Sequence, residues 1–353
     1  MVEIFFLSFV RPDVRQRYEK DPSLLYGETE ALRERKPGHK PLILIDEIQK
    51  VPVMLDMVQD MIDKKIANFV LSESSARKLR RGPSVNLLPG RLVALRLDNL
   101  TLEEKSDRDL EDILLYGSLP GILSFSKQDR ETDLESYVTT YLEEEIRAEA
   151  IVRNIGAFAR FLEYAASESG KLINFRKLSQ EIGVAHTTIA SYYEILDDCF
   201  IVDRVEPFTS TTTRRKLTQS AKFLFFDLGV RRLCAREGLH PPKETWGLLF
   251  EQMVGLELLH TARFSEKKTQ IKFWRDSAGP EIDWIIDHSD GLIPVEVKWT
   301  DTPSPRDIKY LKLFLKEYPK SQRGYLVCRT PRAVKLDDQI SAIPWREVNT
   351  LIP

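Results

Sequence analysis

Two apolar stretches joined by a tight turn constrain the C-terminal part of this chain more than any other feature. The first is Glu281-Ile282-Asp283-Trp284-Ile285-Ile286, the second ends in Val295-Glu296-Val297-Lys298, and Asp290-Gly291 between them is a hairpin signal. Side chains alternate across a strand, so Glu296 and Lys298 share a face. A two-residue turn would set Asp283 opposite Lys298, and a four-residue loop from His288 to Gly291 would set it opposite Glu296. Either register brings Asp283 to that same face. Pro294 lies inside the second strand and removes one ladder donor there.

Two carboxylates and an ammonium on a rigid support suit metal-assisted hydrolysis of a phosphodiester. Hard carboxylate oxygens hold Mg²⁺, which stabilises charge on the phosphate and acidifies a bound water, while a lysine orients the attacking water. The arrangement resembles the PD-(D/E)xK nuclease motif, with Asp283 as the lone acid and Glu296-Val297-Lys298 as the E-x-K arm. That resemblance implies an auxiliary glutamate on an upstream helix, and Glu251 in Trp246-Gly247-Leu248-Leu249-Phe250-Glu251 matches it. The competing reading is a solvated hairpin face whose acids and lysines pair across strands.

At 353 residues the chain has length for two or three domains, and 42% hydrophobic with 30% charged residues is the composition of a globular protein. A net charge of −2 requires any nucleic-acid contact to come from local patches. Cys199, Cys234 and Cys328 are far apart and form no C-x-x-C, which argues against zinc fingers and disulfides and for a reducing cytoplasm. No apolar run reaches membrane-spanning length, and the start, with Glu3 in its apolar run, lacks the form of a signal peptide.

Glu3 to Phe9, Pro41 to Ile45, Ala67 to Leu71 and Leu92 to Leu97 read as strands, and Pro52 to Lys65 as a helix with Met54, Leu55, Val58, Met61 and Ile62 on one face. This βαβ rhythm predicts a parallel sheet. Leu102 to Arg147 reads as helical with a break at Tyr116-Gly117-Ser118-Leu119-Pro120-Gly121, and Ile151 to Phe200 as helical again. Thr209 to Thr213 is the best linker candidate.

Leu42-Ile43-Leu44-Ile45-Asp46-Glu47 matches a Walker B strand, followed by Phe69-Val70-Leu71-Ser72 at a sensor position, Ser74-Ser75-Ala76-Arg77-Lys78-Leu79 and Leu88-Pro89-Gly90-Arg91. The series resembles a family of bacterial and archaeal AAA-type ATPases that carry a winged helix and a PD-(D/E)xK-like C-terminal domain. The chain departs from it in having no G-x-x-x-x-G-K-[ST], the loop whose backbone N–H groups and lysine hold phosphates; in that family it precedes the segment that begins this chain. Glu73 stands where the family has glycine, and Pro89 replaces a small residue. Asp46 and Glu47 are then a vestigial cofactor site, and neither ATP hydrolysis nor tight ATP binding is expected. Without its central first strand the sheet is expected to close by bringing Leu92–Leu97 onto Phe69–Leu71, or to be completed by another segment or subunit.

Phe175 to Ile182, the turn at Gly183 and His186 to Leu196 resemble a helix-turn-helix, with a wing strand from Phe200 to Val205. Docked on DNA, the second helix would present His186, Thr187, Thr188, Ser191 and Tyr192 to base edges. The segment from His186 to Phe200 has no lysine or arginine, so a packing role between domains stands beside DNA reading; Arg214-Arg215-Lys216 is either a phosphate contact or a solvated linker. Asp227 is assigned only turn or helix capping. The expected architecture is α/β: a truncated P-loop (AAA-type) parallel sheet domain over 1–100, a helical lid-like segment over 101–147, a winged helix over 148–213 and a PD-(D/E)xK-like α/β domain over 214–353. The expected function is nucleic-acid handling, DNA ahead of RNA, with Mg²⁺-dependent cleavage by Asp283, Glu296, Lys298 and Glu251. The alternatives are a non-catalytic DNA-binding or scaffolding protein and an ATPase whose phosphate loop lies outside this chain. No membrane partner is expected, and a homo-oligomer stays open.

Overall fold

The short continuous apolar runs near the N-terminus pair into a parallel sheet: β1 (Ile4–Ser8), β2 (Leu42–Asp46) and β3 (Asn68–Leu71), in the order β1-β2-β3. The computed structural model describes residues 4–73, 93–105, 107–142, 155–209, 217–218, 220–277, 279–321 and 323–353. It divides into two units, residues 1–96 and 97–353. In the first, α1 (Pro12–Lys20) and α2 (Leu24–Arg35) connect β1 to β2, and α3 (Met54–Asp63) connects β2 to β3. Pro12 opens α1 where no N–H is needed. Met54, Leu55, Val58 and Met61 form the buried stripe of α3, and with Tyr18 and Leu25 they cover the sheet face that carries Leu7, Ile43 and Ile45. The other face shows Ile4, Phe6 and Val70, each at least half exposed.

The expected strand at Leu92–Leu97 does not form over its described residues: 93–97 have no ladder, and Val93, Leu95 and Leu97 are 82%, 88% and 98% exposed. Alternation makes a strand only where a sheet accepts the apolar side, and none does here. Consequently no strand among the described residues pairs with the free edge of β3. The segments Ser74–Leu79 and Leu88–Arg91 lie outside the described residues.

The second unit begins with α4 (Leu110–Tyr116), α5 (Pro120–Ser124) and α6 (Lys127–Ser136), the last continuing as a π-helical turn over Tyr137–Leu142. The break after α4 is Gly117, at φ 76°, a left-handed conformation that glycine alone adopts freely. A Cβ there would sit 2.0 Å from Asp227 Oδ1. Asp227 accepts hydrogen bonds from Ser118 N at 2.7 Å, Asn99 Nδ2 at 3.0 Å and Val230 N at 3.0 Å. It therefore caps α10 (Leu228–Cys234), as expected, and also ties that helix to the loop before α5, which spacing in the sequence could not reveal.

Three helices follow one another, α7 (Ile155–Ser167), α8 (Phe175–Ile182) and α9 (His186–Asp198), with β4 (Val202–Val205) and β5 (Lys222–Phe225) pairing antiparallel. Asn174 caps α8 through Arg176 N and Lys177 N, and Gly183 at φ 79° ends it. Phe158, Phe161, Leu178, Ile189, Tyr193 and Phe223 make the shared core. Of the suggested linker only Thr209 is described, and Arg214-Arg215-Lys216 lies outside the described residues.

The remainder builds a six-stranded sheet in the order β10-β11-β9-β8-β7-β6, from β6 (Gln270–Arg275), β7 (Glu281–His288), β8 (Gly291–Val297), β9 (Gly324–Cys328), β10 (Val334–Lys335) and β11 (Ile340–Pro344). The pairs β8–β9 and β9–β11 are parallel and the others antiparallel. The 22-residue helix α11 (Lys243–Phe264) packs Leu249, Phe250 and Val254 against Trp284, Val295 and Val297, while α12 (Lys309–Glu317) packs Leu311 and Phe314 against Trp274, Ile285 and Leu326 on the other side. Among the described residues no helix is long and apolar enough to cross a membrane.

Candidate active site

Hairpin register decides where Asp283 lies. The ladder runs from His288↔Gly291 to Trp284↔Val295, the register of the four-residue loop alternative with one more pair closed inside it. Continued by one step it sets Asp283 opposite Glu296. There the β7–β8 ladder ends, while along its other edge β8 stays paired with β9 through Val295↔Tyr325, Glu296↔Leu326 and Val297↔Val327. The Asp283 side chain fills the vacated place on the β7 side: its Oδ2 accepts Val297 N–H at 2.8 Å.

Asp283 and Glu296 are 6% and 4% exposed, so the charged hairpin face is not a solvated one. Burial raises the Asp283 carboxyl well above its ordinary range, and the neighbouring Glu251 and Glu296 charges push the same way. Burial likewise raises Glu296 to about 7, against the opposing pull of Lys298. Lys298 Nζ lies 2.6 Å from Glu296 Oε1; Glu296 Oε2 is buried with no hydrogen-bond partner. Burial alone would lower the Lys298 ammonium, but Asp283 and Glu296 outweigh it and raise its pKa.

Glu251 reaches the cluster because α11 lies almost in contact with the sheet. Gly255, one turn further along and on the same helix face, approaches Trp284 so closely that a Cβ would be 2.3 Å from its indole ring. Sequence reasoning missed the partner of Glu251. Lys222, at the start of β5, is 6% exposed, with Nζ 3.1 Å from Glu251 Oε1 and 5.1 and 5.4 Å from the ring centroids of Phe273 and Trp284. Burial opposes its charge, yet Glu251 and Asp283 prevail and raise its pKa. The available signal was a single lysine opening the apolar run Phe223-Leu224-Phe225-Phe226.

The arrangement is thus three carboxylates, Glu251, Asp283 and Glu296, interleaved with two ammonium groups. Among the described residues no three acidic, histidine or cysteine side chains converge tightly enough to enclose a metal ion. An all-protein cage is therefore not what these residues offer. Mg²⁺, however, is commonly held by one or two carboxylates together with waters and substrate phosphate. Asp283 and Glu296, with the unpartnered Glu296 Oε2, fit that kind of site.

The other sequence candidates lie elsewhere. In the first unit, Asp46 accepts hydrogen bonds from Ser8 Oγ at 2.9 Å and Ser72 Oγ at 2.6 Å, engaging both carboxylate oxygens. Glu47, at φ 58°, pairs with Lys50 at 3.2 Å. On α9, His186, Thr187 and Ser191 are exposed and Thr188 half-buried. Tyr192 is 6% exposed and its ring packs against Phe158 and Phe161, at 4.9 and 5.2 Å between centroids. Its spacing from Ile189 and Leu196 places it on the core stripe, which corrects its inclusion among base-facing residues.

Residues 2–106 match a family model described as an AAA domain, and residues 107–241 and 246–348 match two domains of unknown function, DUF8612 and DUF4143. The N-terminal part is accordingly AAA-type ATPase-like. An uncharacterized protein of Mycobacterium tuberculosis is 25% identical over 278 residues, 76% of this chain and 60% of its own length. One from Haemophilus influenzae is 24% identical over 285 residues, 75% and 68% of the two chains, and one from Methanocaldococcus jannaschii 21% over 355 residues, 89% and 71%. The chain spans 60% of the length of the mycobacterial relative. The crystal structure of protein VC1899 from Vibrio cholerae aligns over 99% of this chain and 96% of its own, at 14% identity and a TM-score of 0.22.

Proposed function

We propose that the second unit is a Mg²⁺-dependent nucleic-acid-cleaving module of PD-(D/E)xK type, next to helices α7–α9 and strands β4–β5 acting as a winged helix. The observation that carries this reading is the burial of Asp283 beside Glu296 and Lys298 at the point where β7 and β8 part. Ordinary surface acids are solvated; burying Asp283 and Glu296 together, beside the partly buried Glu251, costs folding energy that a merely structural hairpin has no reason to accept.

Asp283 and Glu296 would hold the ion, which when bound supplies charge neutralisation at a phosphate and a more acidic water. Lys298, hydrogen-bonded to Glu296, positions its ammonium beside the same carboxylate, where it orients an attacking water. Lys222 fixes the Glu251 side chain and keeps its charge compensated when no substrate is present. Thr187, Thr188 and Ser191 are the polar contacts that α9 would offer a DNA groove.

The deciding experiment is cleavage of single- and double-stranded DNA and RNA with Mg²⁺ or Mn²⁺, comparing the wild type with Asp283→Asn and Lys298→Ala. Cleavage lost in both variants supports the reading; no cleavage of any substrate, or equal cleavage by the variants, rejects it. A second reading rests on the charge balance around the site: Lys222 and Lys298 already compensate two of the three carboxylates. That favours a nucleic-acid-binding protein that retains the site as a structural ion-pair network, and it predicts binding without cleavage. The AAA-like unit is assigned no hydrolysis: Asp46, bonded to Ser8 and Ser72, is read with Glu47 as a vestigial site.

A further inference from the structure

Parallel strands β8 and β9 end in register at Val297↔Val327, so Trp299 and Arg329 follow side by side, two residues beyond that pair. The backbone continues the relationship: Lys298 N donates to Val327 O at 3.0 Å, and Arg329 N donates to Thr300 O at 2.8 Å. Trp299 directly follows Lys298 of the candidate site. Its indole stacks on that of Trp246, with centroids 5.6 Å apart and planes 15° from parallel. Phe250, the neighbour of Glu251, meets Trp299 edge-on at 5.4 Å. Both tryptophans are only partly buried.

The Arg329 guanidinium lies 4.1 Å from the Trp299 ring centroid, a cation–π distance. Its Nε is buried and has no hydrogen-bond partner. The contrast with its surroundings is informative, because Lys222 and Lys298 each have a carboxylate at hydrogen-bonding distance. Arg329 instead offers a planar fork of donors suited to a phosphate.

We propose that Trp246, Trp299 and Arg329 form a platform for an unpaired nucleobase and its adjoining phosphate, which makes single-stranded nucleic acid the substrate class of the neighbouring carboxylate–lysine site. The inference rests on the nucleic-acid reading of that site. Every base has a flat face that stacks on an indole, a contact worth roughly tenfold or more in affinity. In a duplex those faces are already stacked, so the platform selects strands whose bases are free. Arginine over the aromatic stack supplies the backbone contact that stacking alone lacks.

The test is fluorescence anisotropy of the full chain, in EDTA, with labelled oligo(dT) and oligo(U) of about twelve nucleotides and a duplex of equal length. Circular dichroism confirms that each variant is folded. The wild type is expected to bind single strands at least about tenfold more tightly than the duplex. Trp246→Leu is expected to lose about tenfold on single strands with little change on the duplex, and Arg329→Gln to lower the salt dependence by about one charge. Comparison of the two oligonucleotides separates DNA from RNA. Equal affinity for duplex and single strand, no binding by the wild type, or unchanged binding by both variants overturns the platform. Because these measurements exclude metal, they separate the two proposals. Selective binding without Mg²⁺-dependent cleavage keeps the platform and rejects the nuclease. Duplex cleavage indifferent to Trp246→Leu does the reverse.

Discussion

Asp283 accepts the backbone N–H of Val297 through Oδ2, so a side chain replaces the ladder bond that β7 and β8 lose where they diverge. The same carboxylate is therefore both strand-end support and candidate ligand. Asp283→Ala should leave that buried N–H unpaired and cost about 2 kcal/mol in urea unfolding. Asp283→Asn keeps an acceptor oxygen and should cost less, while cleavage is lost in both. An Asn variant that cleaves like the wild type would remove the residue from the catalytic set.

Lys222, buried on β5, pairs with the partly buried Glu251 of α11. Lys222→Met should destabilise the protein by about 3 kcal/mol because Glu251 loses its compensating charge beside Asp283. Adding Glu251→Gln should recover part of that loss, and the double-mutant cycle measures how much. Simple additivity of the two changes would show that the pair is not coupled.

Gly255 is where α11 meets Trp284. Gly255→Ala should overpack the contact and cost about 2 kcal/mol by thermal or chemical denaturation. It should also reduce any cleavage, since the helix can make room only by moving Glu251. Normal stability together with normal activity would contradict the packing described.

Asp227 gathers donors from Ser118, Asn99 and Val230. Asp227→Ala should cost about 3 kcal/mol, the largest loss expected outside the site, because the buried Val230 N–H and the partly buried Ser118 and Asn99 donors lose their shared acceptor. Proteolysis should then cut the loop around Gly117 more readily. Stability within experimental error of the wild type would show that water replaces the carboxylate at no cost.

For the first unit, ATP titration followed by calorimetry should show nothing tighter than roughly millimolar. A micromolar dissociation constant would overturn the reading of Asp46 and Glu47 as a vestigial site.

The parts of this fold that could be read in the sequence are those where one element explains its own pattern. The buried stripe of α3 follows helical spacing, and the apolar run ending at Asp46 lies centrally in its sheet. Leu92–Leu97 shows the limit: alternation states which side of a strand is apolar, and cannot say whether a sheet is there to receive it. Tyr192 fails for a related reason, since a residue early in a second helix can face the groove or the core, and only Phe158 and Phe161 decide. At the site, one stretch of chain supplies Asp283, Glu296 and Lys298, so their spacing was informative. Lys222 comes from a strand that pairs outside the six-stranded sheet, and nothing local connects it to Glu251.

Lys298, Trp299 and Arg329 all stand just past the last paired residues of β8 and β9, and their side chains carry none of the ladder. Exchanging them therefore leaves the pairing of the strands behind them intact. A lineage built on this sheet can change what this corner presents through a few substitutions, without having to reinvent the architecture behind it.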